Sequence, residues 1–312
     1  MAARSGLRRR ELLLAASGSL LAALGGGCSR SPPRSGGPAR APRAAGSPAS
    51  PVELWSFFDL PADDPRSREL SGIAWDAKER MLWAVHDASP SIVALVPDGA
   101  LRTWRFGETV TIDGGDPTDL EGIAIVPEGF VVCSEDGPRI FEVDRRGRFR
   151  RALPVPSRFG DARPNKGFES LTVSPSGRWL FTTTEVALER DGPRPSPSAG
   201  TRVRILRMDR DGGEVSEHTY VTDPLPHEGG DWGVSDLVAA SDTELLVLER
   251  GWSKGHGNTV RVYRTALDAR ATCTSVDQLS PSSPSLPKSP VLDVSNVAAR
   301  DVPEPKQPQP AP

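Results

Sequence analysis

Four short stretches of this chain copy one another. They are Leu70-Ser71-Gly72-Ile73-Ala74, Leu120-Glu121-Gly122-Ile123-Ala124, Phe168-Glu169-Ser170-Leu171-Thr172 and Val234-Ser235-Asp236-Leu237-Val238. Each opens on an apolar residue, passes through small or acidic residues and continues as an apolar strand. A turn and a second apolar strand follow each one, at MLWAVHD (81–87), FVVCSED (130–136), WLFTTTE (179–185) and LLVLER (245–250). Third strands follow at SIVALV (91–96), RIFEVD (139–144), VRILRMD (203–209) and TVRVYR (259–264). Weaker fourth strands stand at LRTWRF, FRRALPV and EHTYVTD. The repeat recurs at steps of about 50 residues, and the last step is lengthened by loops at 191–200 and 224–231.

Units of four short strands at this period are the signature of propeller blades. A sandwich would also use short strands but gives no reason for the period. The expected fold is therefore all-β and β-propeller-like, with about four visible four-stranded blades. One blade cannot bury both of its faces alone, so neighbours must pack face to face about an axis. The first strand of each blade then lines a central channel. Ser71, Glu121, Glu169 and Asp236 should converge near one mouth of it.

The flanks read differently. Arg8-Arg9-Arg10 precedes a short apolar run that ends at Gly27-Cys28. A basic start, a short apolar stretch and small residues describe an export signal over 1–28. Arg9-Arg10-Glu11-Leu12-Leu13 resembles a twin-arginine signal, and Leu24-Gly25-Gly26-Gly27-Cys28 a bacterial lipobox with Cys28 as the lipidated residue. Residues 29–51 are Pro, Gly, Ser, Ala and Arg, and read as a tether. The expected globular part is 52–265, and 266–312 reads as a Pro/Ser-rich, mostly disordered tail. The product is expected at the periplasm or cell surface, held to a membrane through Cys28.

Charge and metal-ligand residues exclude several classes. The chain has 38 Lys and Arg against 41 Asp and Glu, and its first 50 residues are strongly basic. The remainder is therefore acidic, which does not suit nucleic-acid binding. No Cys-x-x-Cys pair is present, and the 4 His are dispersed, so a zinc site is not expected. Cys133 and Cys273 are left open as either two thiols or a disulfide. No Gly-x-Ser-x-Gly elbow supports an α/β-hydrolase esterase.

Three blocks go beyond a generic propeller. They are Arg163-Pro164-Asn165-Lys166-Gly167-Phe168-Glu169-Ser170-Leu171, Phe181-Thr182-Thr183-Thr184-Glu185, and Leu246-Val247-Leu248-Glu249-Arg250-Gly251 leading to Gly257-Asn258-Thr259-Val260. With the Glu121-Gly122-Ile123-Ala124 block, they resemble the phytase-like domain family, also described as esterase-like activity of phytase. The resemblance covers roughly 52–265. It implies an exported propeller, and by analogy phosphoester hydrolysis. A closing blade expected of the family is missing from the pattern. Either four blades close, with 52–58 as the final strand, or the propeller is truncated and exposes blade faces.

The carboxylates carry the chemistry. Glu121, Glu135, Glu169, Glu185 and Glu249 fall at similar places in successive units. Converging carboxylates suit a hard cation such as calcium, with Glu121, Glu169, Glu185 and Glu249 as candidate ligands. Arg163, Asn165, Lys166 and Arg250 are candidates for binding a small phosphorylated substrate. The same residues also fit plain bracing, because repeats copy structural contacts as readily as functional ones. Two classes remain: a calcium-dependent phosphoesterase of the cell envelope, and a non-catalytic propeller that binds a ligand or envelope partner.

Overall fold

A computed structural model describes residues 60–294 except 62, 100 and 102. The expected export signal, Cys28, the tether, the 52–58 segment and the end of the tail lie outside these residues. The described residues form four four-stranded antiparallel sheets, each a meander in chain order, and no α-helix. The arrangement is a four-blade β-propeller.

Blade 1 holds β1 (Leu70–Asp76), β2 (Met81–His86), β3 (Ser91–Pro97) and β4 (Trp104–Thr111). Blade 2 holds β5 (Leu120–Val126), β6 (Gly129–Ser134), β7 (Arg139–Asp144) and β8 (Phe149–Leu153). Blade 3 holds β9 (Thr172–Val173), β10 (Trp179–Thr182), β11 (Arg202–Asp209) and β12 (Val215–Val221). Blade 4 holds β13 (Gly233–Ala239), β14 (Glu244–Ser253), β15 (Gly257–Ala266) and β16 (Lys288–Asp293).

Second strands such as MLWAV and FVVCS are apolar at consecutive positions because both faces of a blade are covered. All six residues of β6 are buried. Three apolar clusters join successive blades. Trp83, Val85 and Ile92 meet Ile123, Phe130 and Val132 between blades 1 and 2. Val131, Cys133 and Ile140 meet Phe168, Leu171 and Leu180 between blades 2 and 3. Phe181, Val203 and Tyr220 meet Val234, Leu237 and Val247 between blades 3 and 4. A smaller cluster of Leu82, Ala84 and Leu95, with Leu60 and Trp104, covers the other face of blade 1. Glycine lets the innermost strands touch. A Cβ on Gly122 would lie 2.7 Å from the Leu171 nitrogen and from Cys133 Sγ.

The innermost strands share a defect. Pairing shifts register between Leu70 and Ile73, between Leu120 and Gly122, and between Val234 and Asp236. In blade 3 the inner strand is interrupted at the same level, where Phe168 bridges Thr184 apart from the short β9. A bulge re-aims the side chains it carries, and here those are Ser71, Glu121 and Ser235.

The expectation of a mostly disordered segment after 265 needs correction. Residues 266–287 run back along the outer edge of blade 3, and β16 then completes blade 4. Cys273 N donates to Glu217 O at 2.8 Å, and Leu286 N to Thr219 O at 2.8 Å. Arg204, fully buried on β11, fixes this segment. It donates to Asp191 at 2.6 and 2.8 Å, to Glu217 at 3.0 Å, and to the carbonyls of Val276 at 3.0 Å and Asp277 at 3.1 Å. Hydrophobic pattern misses such a segment because its anchor is a buried charge that recruits backbone carbonyls. The last described blade therefore takes its fourth strand from the C-terminal side. Cys133 and Cys273 are separate free thiols, both buried.

Candidate carboxylate site at the channel mouth

The bulged strands bring their acidic residues to the axis. Glu121 and Glu169 are buried, and Ser71 Oγ donates to Glu121 Oε2 across the blade 1–blade 2 boundary. Cys133 lies among Glu121, Glu169 and Asp236. Burial first, then those three carboxylates, push its thiol well above the ordinary range. Burial also pushes Asp236 up to about 7.

A second layer of carboxylates stands one step further out. It has a common backbone origin. Asp87 N donates to Glu69 O, Glu135 N to Asp119 O, and Glu185 N to Gly167 O. These bonds place the end of each second strand beside the start of its first strand. Asp119 and Glu69 both take left-handed backbone, with φ of 55° and 57°, which is uncommon outside glycine.

Two carboxylate triplets result. Asp87, Asp119 and Glu121 can place one oxygen each within 4.8 Å of the others, and so can Glu135, Glu169 and Glu185. The triplets adjoin. Burial, a hydrogen bond shared with Asp87, and the charges of Glu135, Asp87 and Glu121 push the Asp119 carboxyl up to about 8. All the donors are oxygen, which fits a hard cation such as calcium rather than a thiolate- or imidazole-seeking metal.

Lys166 borders the second triplet. Its Nζ lies 2.5 Å from Glu185 Oε2 and 2.9 Å from Asp231 Oδ2. Burial pulls its pKa down, but Glu185 and Asp231 outweigh this and hold it above the ordinary lysine value. The remaining candidates lie elsewhere or work differently. Arg163 donates to the carbonyls of Ala187 at 3.3 Å and Gly192 at 2.8 Å, so it ties down a loop. Asn165 is exposed, in a left-handed turn with φ of 56°.

Glu249 differs from the other glutamates. The register pairs Val234 with Glu249 and Gly233 with Arg250. Arg250, not Glu249, therefore occupies the place of Asp87, Glu135 and Glu185. One residue of offset turns a side chain to the opposite face of the sheet. Glu249 is fully buried there and accepts from Tyr220 OH at 2.6 Å, Lys288 Nζ at 2.6 Å, Asp223 N at 2.8 Å and Trp232 Nε1 at 3.0 Å. Those four donors brace blade 4 against blade 3.

The geometry adds Asp87, Asp119 and Asp231 to the candidates. Asp119 had a sequence signal, since it precedes the Leu120-Glu121-Gly122 block directly. Asp231 had none, because it sits in a loop outside the repeat.

Fold and site together define a β-propeller with a carboxylate-lined axis. The chain belongs to the phytase-like family: the family model described as "Esterase-like activity of phytase" matches residues 65–304. An "Uncharacterized secreted protein" of Arthroderma benhamiae is 27% identical over 267 residues, covering 70% of this chain and 50% of that protein. The chain thus spans half the length of that curated relative. Among solved structures, a chain of a nidogen/laminin complex is 16% identical, with TM-score 0.39 over 65% of this chain and 74% of that one. A periplasmic gluconolactonase of Pseudomonas aeruginosa is 16% identical, with TM-score 0.34 over 64% of this chain and 69% of that one.

Proposed function

We propose that this chain is an exported phosphoesterase that works with a divalent cation, calcium by donor chemistry, held at the channel mouth. The observation that supports it most is the meeting of two carboxylate triplets, each with oxygens within 4.8 Å. The crowding that lifts Asp119 is a cost that a bound cation relieves. Export is supported by the basic, apolar start of the chain and by a relative named as secreted. Lipidation of Cys28 then tethers the propeller to a membrane surface.

Glu135, Glu169 and Glu185 would hold the ion, with Asp87, Asp119 and Glu121 beside them. When bound, calcium supplies charge stabilisation to a phosphate ester and lowers the pKa of water. Lys166 remains charged beside Glu185 and is suited to a phosphate oxygen. Arg250 stands at the matching place in blade 4, and its planar guanidinium suits two phosphate oxygens at once. Glu249 and Arg163 take no part in this reading, since each serves structural partners.

The test is a thermal melt of chelator-stripped protein titrated with calcium, followed by phosphate release from p-nitrophenyl phosphate and inositol hexakisphosphate. A ligand that binds only the native state raises the midpoint with the logarithm of its concentration. A rising midpoint with phosphate release, both lost in Glu185→Gln, supports the proposal. A rising midpoint without release leaves a cation-holding binding scaffold. A midpoint indifferent to calcium sinks the metal site.

A further inference from the structure

A cavity of about 420 Å³ opens beside the acidic mouth, lined by Arg194, Leu225, Gly230, Asp231 and Trp252 among others. Asp231 belongs to both places, since it lines the cavity and accepts from Lys166. Trp252 is 41% exposed, and it is the one exposed large apolar side chain among the described residues. An indole partly left in solvent on a hydrogen-bonded strand calls for a reason.

The strand is held against the 230–231 loop, because two backbones touch there. Asp231 N donates to Trp252 O at 2.9 Å. A Cβ on Gly251 would lie 1.8 Å from Asp231 O, and one on Gly230 2.0 Å from Ser253 Oγ. Glycine at both positions permits this approach and fixes Trp252 relative to Asp231. On the same wall, Arg194 Nη2 meets Asp231 at 3.2 and 3.3 Å. Burial raises the Asp231 pKa, but Lys166 and Arg194 outweigh it and keep the carboxylate ionised.

The chemistry narrows the ligand by elimination. An anion would face Asp231. A cation would face Arg194. A neutral ligand bearing hydroxyl groups suits both, since a hydroxyl donates to the carboxylate and accepts from the guanidinium. The exposed indole face takes a ring with an apolar C–H surface. The volume falls in the range of small-ligand sites. We propose that this cavity binds one ring of a neutral carbohydrate, stacked on Trp252 and held through its hydroxyls by Asp231 and Arg194.

The test is calorimetric titration of the full chain, in chelator, with maltose, cellobiose, lactose and trehalose, and tryptophan fluorescence read in parallel. Chelator makes the outcome independent of the cation site. At least one sugar is expected to bind at millimolar strength. Trp252→Ala should weaken it by about tenfold or more, and Trp252→Phe should restore part of the loss. Trp252→Phe keeps most of the covered ring area and should melt near the parent, and sugar binding by Trp252→Ala is measured well below its own melting midpoint. Absence of binding by all four sugars overturns the proposal. So does equal binding by Trp252→Ala, or binding of a hexose monophosphate when no neutral sugar binds.

Discussion

Arg250 occupies in blade 4 the register position that Glu185 occupies in blade 3. Each follows the residue that pairs with the apolar head of its repeat block, Thr184 with Phe168 and Glu249 with Val234, and the repeat thus sets one cation beside three carboxylates. Arg250→Glu should tighten calcium binding several-fold, because each tenfold in affinity needs only about 1.4 kcal/mol. The same change should weaken any phosphate ligand. Competition between calcium and inorganic phosphate in calorimetric titrations reads both effects.

Glu249 gives the opposite control. Glu249→Ala orphans the buried Tyr220 hydroxyl and Trp232 Nε1 and leaves Lys288 with Asp223 as its remaining carboxylate. Loss of one partner from such a network costs about 3–5 kcal/mol. Urea unfolding should show that loss, with a smaller one for Glu249→Gln. The calcium-induced rise in melting midpoint should survive in whatever fraction folds.

Much of this was legible in the chain. The repeat blocks gave the blades, because a strand covered on both faces needs consecutive apolar residues. That Glu121 and Glu169 come to the axis was legible because they lie inside the repeat blocks, and Glu185 because it ends a second strand. Glu249 misled, because counting carboxylates at strand ends ignores a one-residue offset in pairing. The course of 266–287 was hidden for another reason. It is held by Arg204 through carbonyl groups, which leave no side-chain pattern.

Arg204→Ala should therefore do more than lower stability. A loss of about 3–5 kcal/mol is expected, since Asp191 and Glu217 lose their buried partner. The 266–287 segment should also loosen before the blades do. Cys273, 3% exposed beside Arg204, then becomes reactive to a thiol reagent under native conditions. Cys133 should stay protected in the same experiment.

Stability of the metal-free protein should fall between pH 5 and 8. Asp119 and Asp236 have folded-state values near 8 and 7, raised above the ordinary carboxylate value. These two groups bind more protons in the folded than in the unfolded chain across this window, while buried His218, lowered by desolvation, opposes them at its acid end. Their contribution is fully present below the unfolded value and is lost as pH rises through the folded values. Carboxylates with lowered values, such as Asp223 and Asp231, act in the opposite sense but at lower pH. Asp119→Asn should flatten the slope in melts taken across the window, and saturating calcium should also flatten it.

Gly122→Ala tests the close approach at the axis. The added methyl meets the Leu171 nitrogen and Cys133 Sγ. Overpacking of this kind costs about 1–3 kcal/mol. It should also spread the carboxylates that flank Gly122 and weaken calcium binding, while Gly177→Ala, in a turn with open space around it, should leave calcium binding unchanged.

The three apolar seams between blades have a mechanical consequence. Among the described residues, blades 2 and 3 are each gripped on two sides by these clusters, whereas blades 1 and 4 are gripped by them on one. Thermal opening of such a row begins at its ends and reaches the middle last. Amide deuterium uptake should thus be slowest in β6 and β7, and the carboxylates contributed by blade 2 should keep their geometry through fluctuations that transiently release either outer blade.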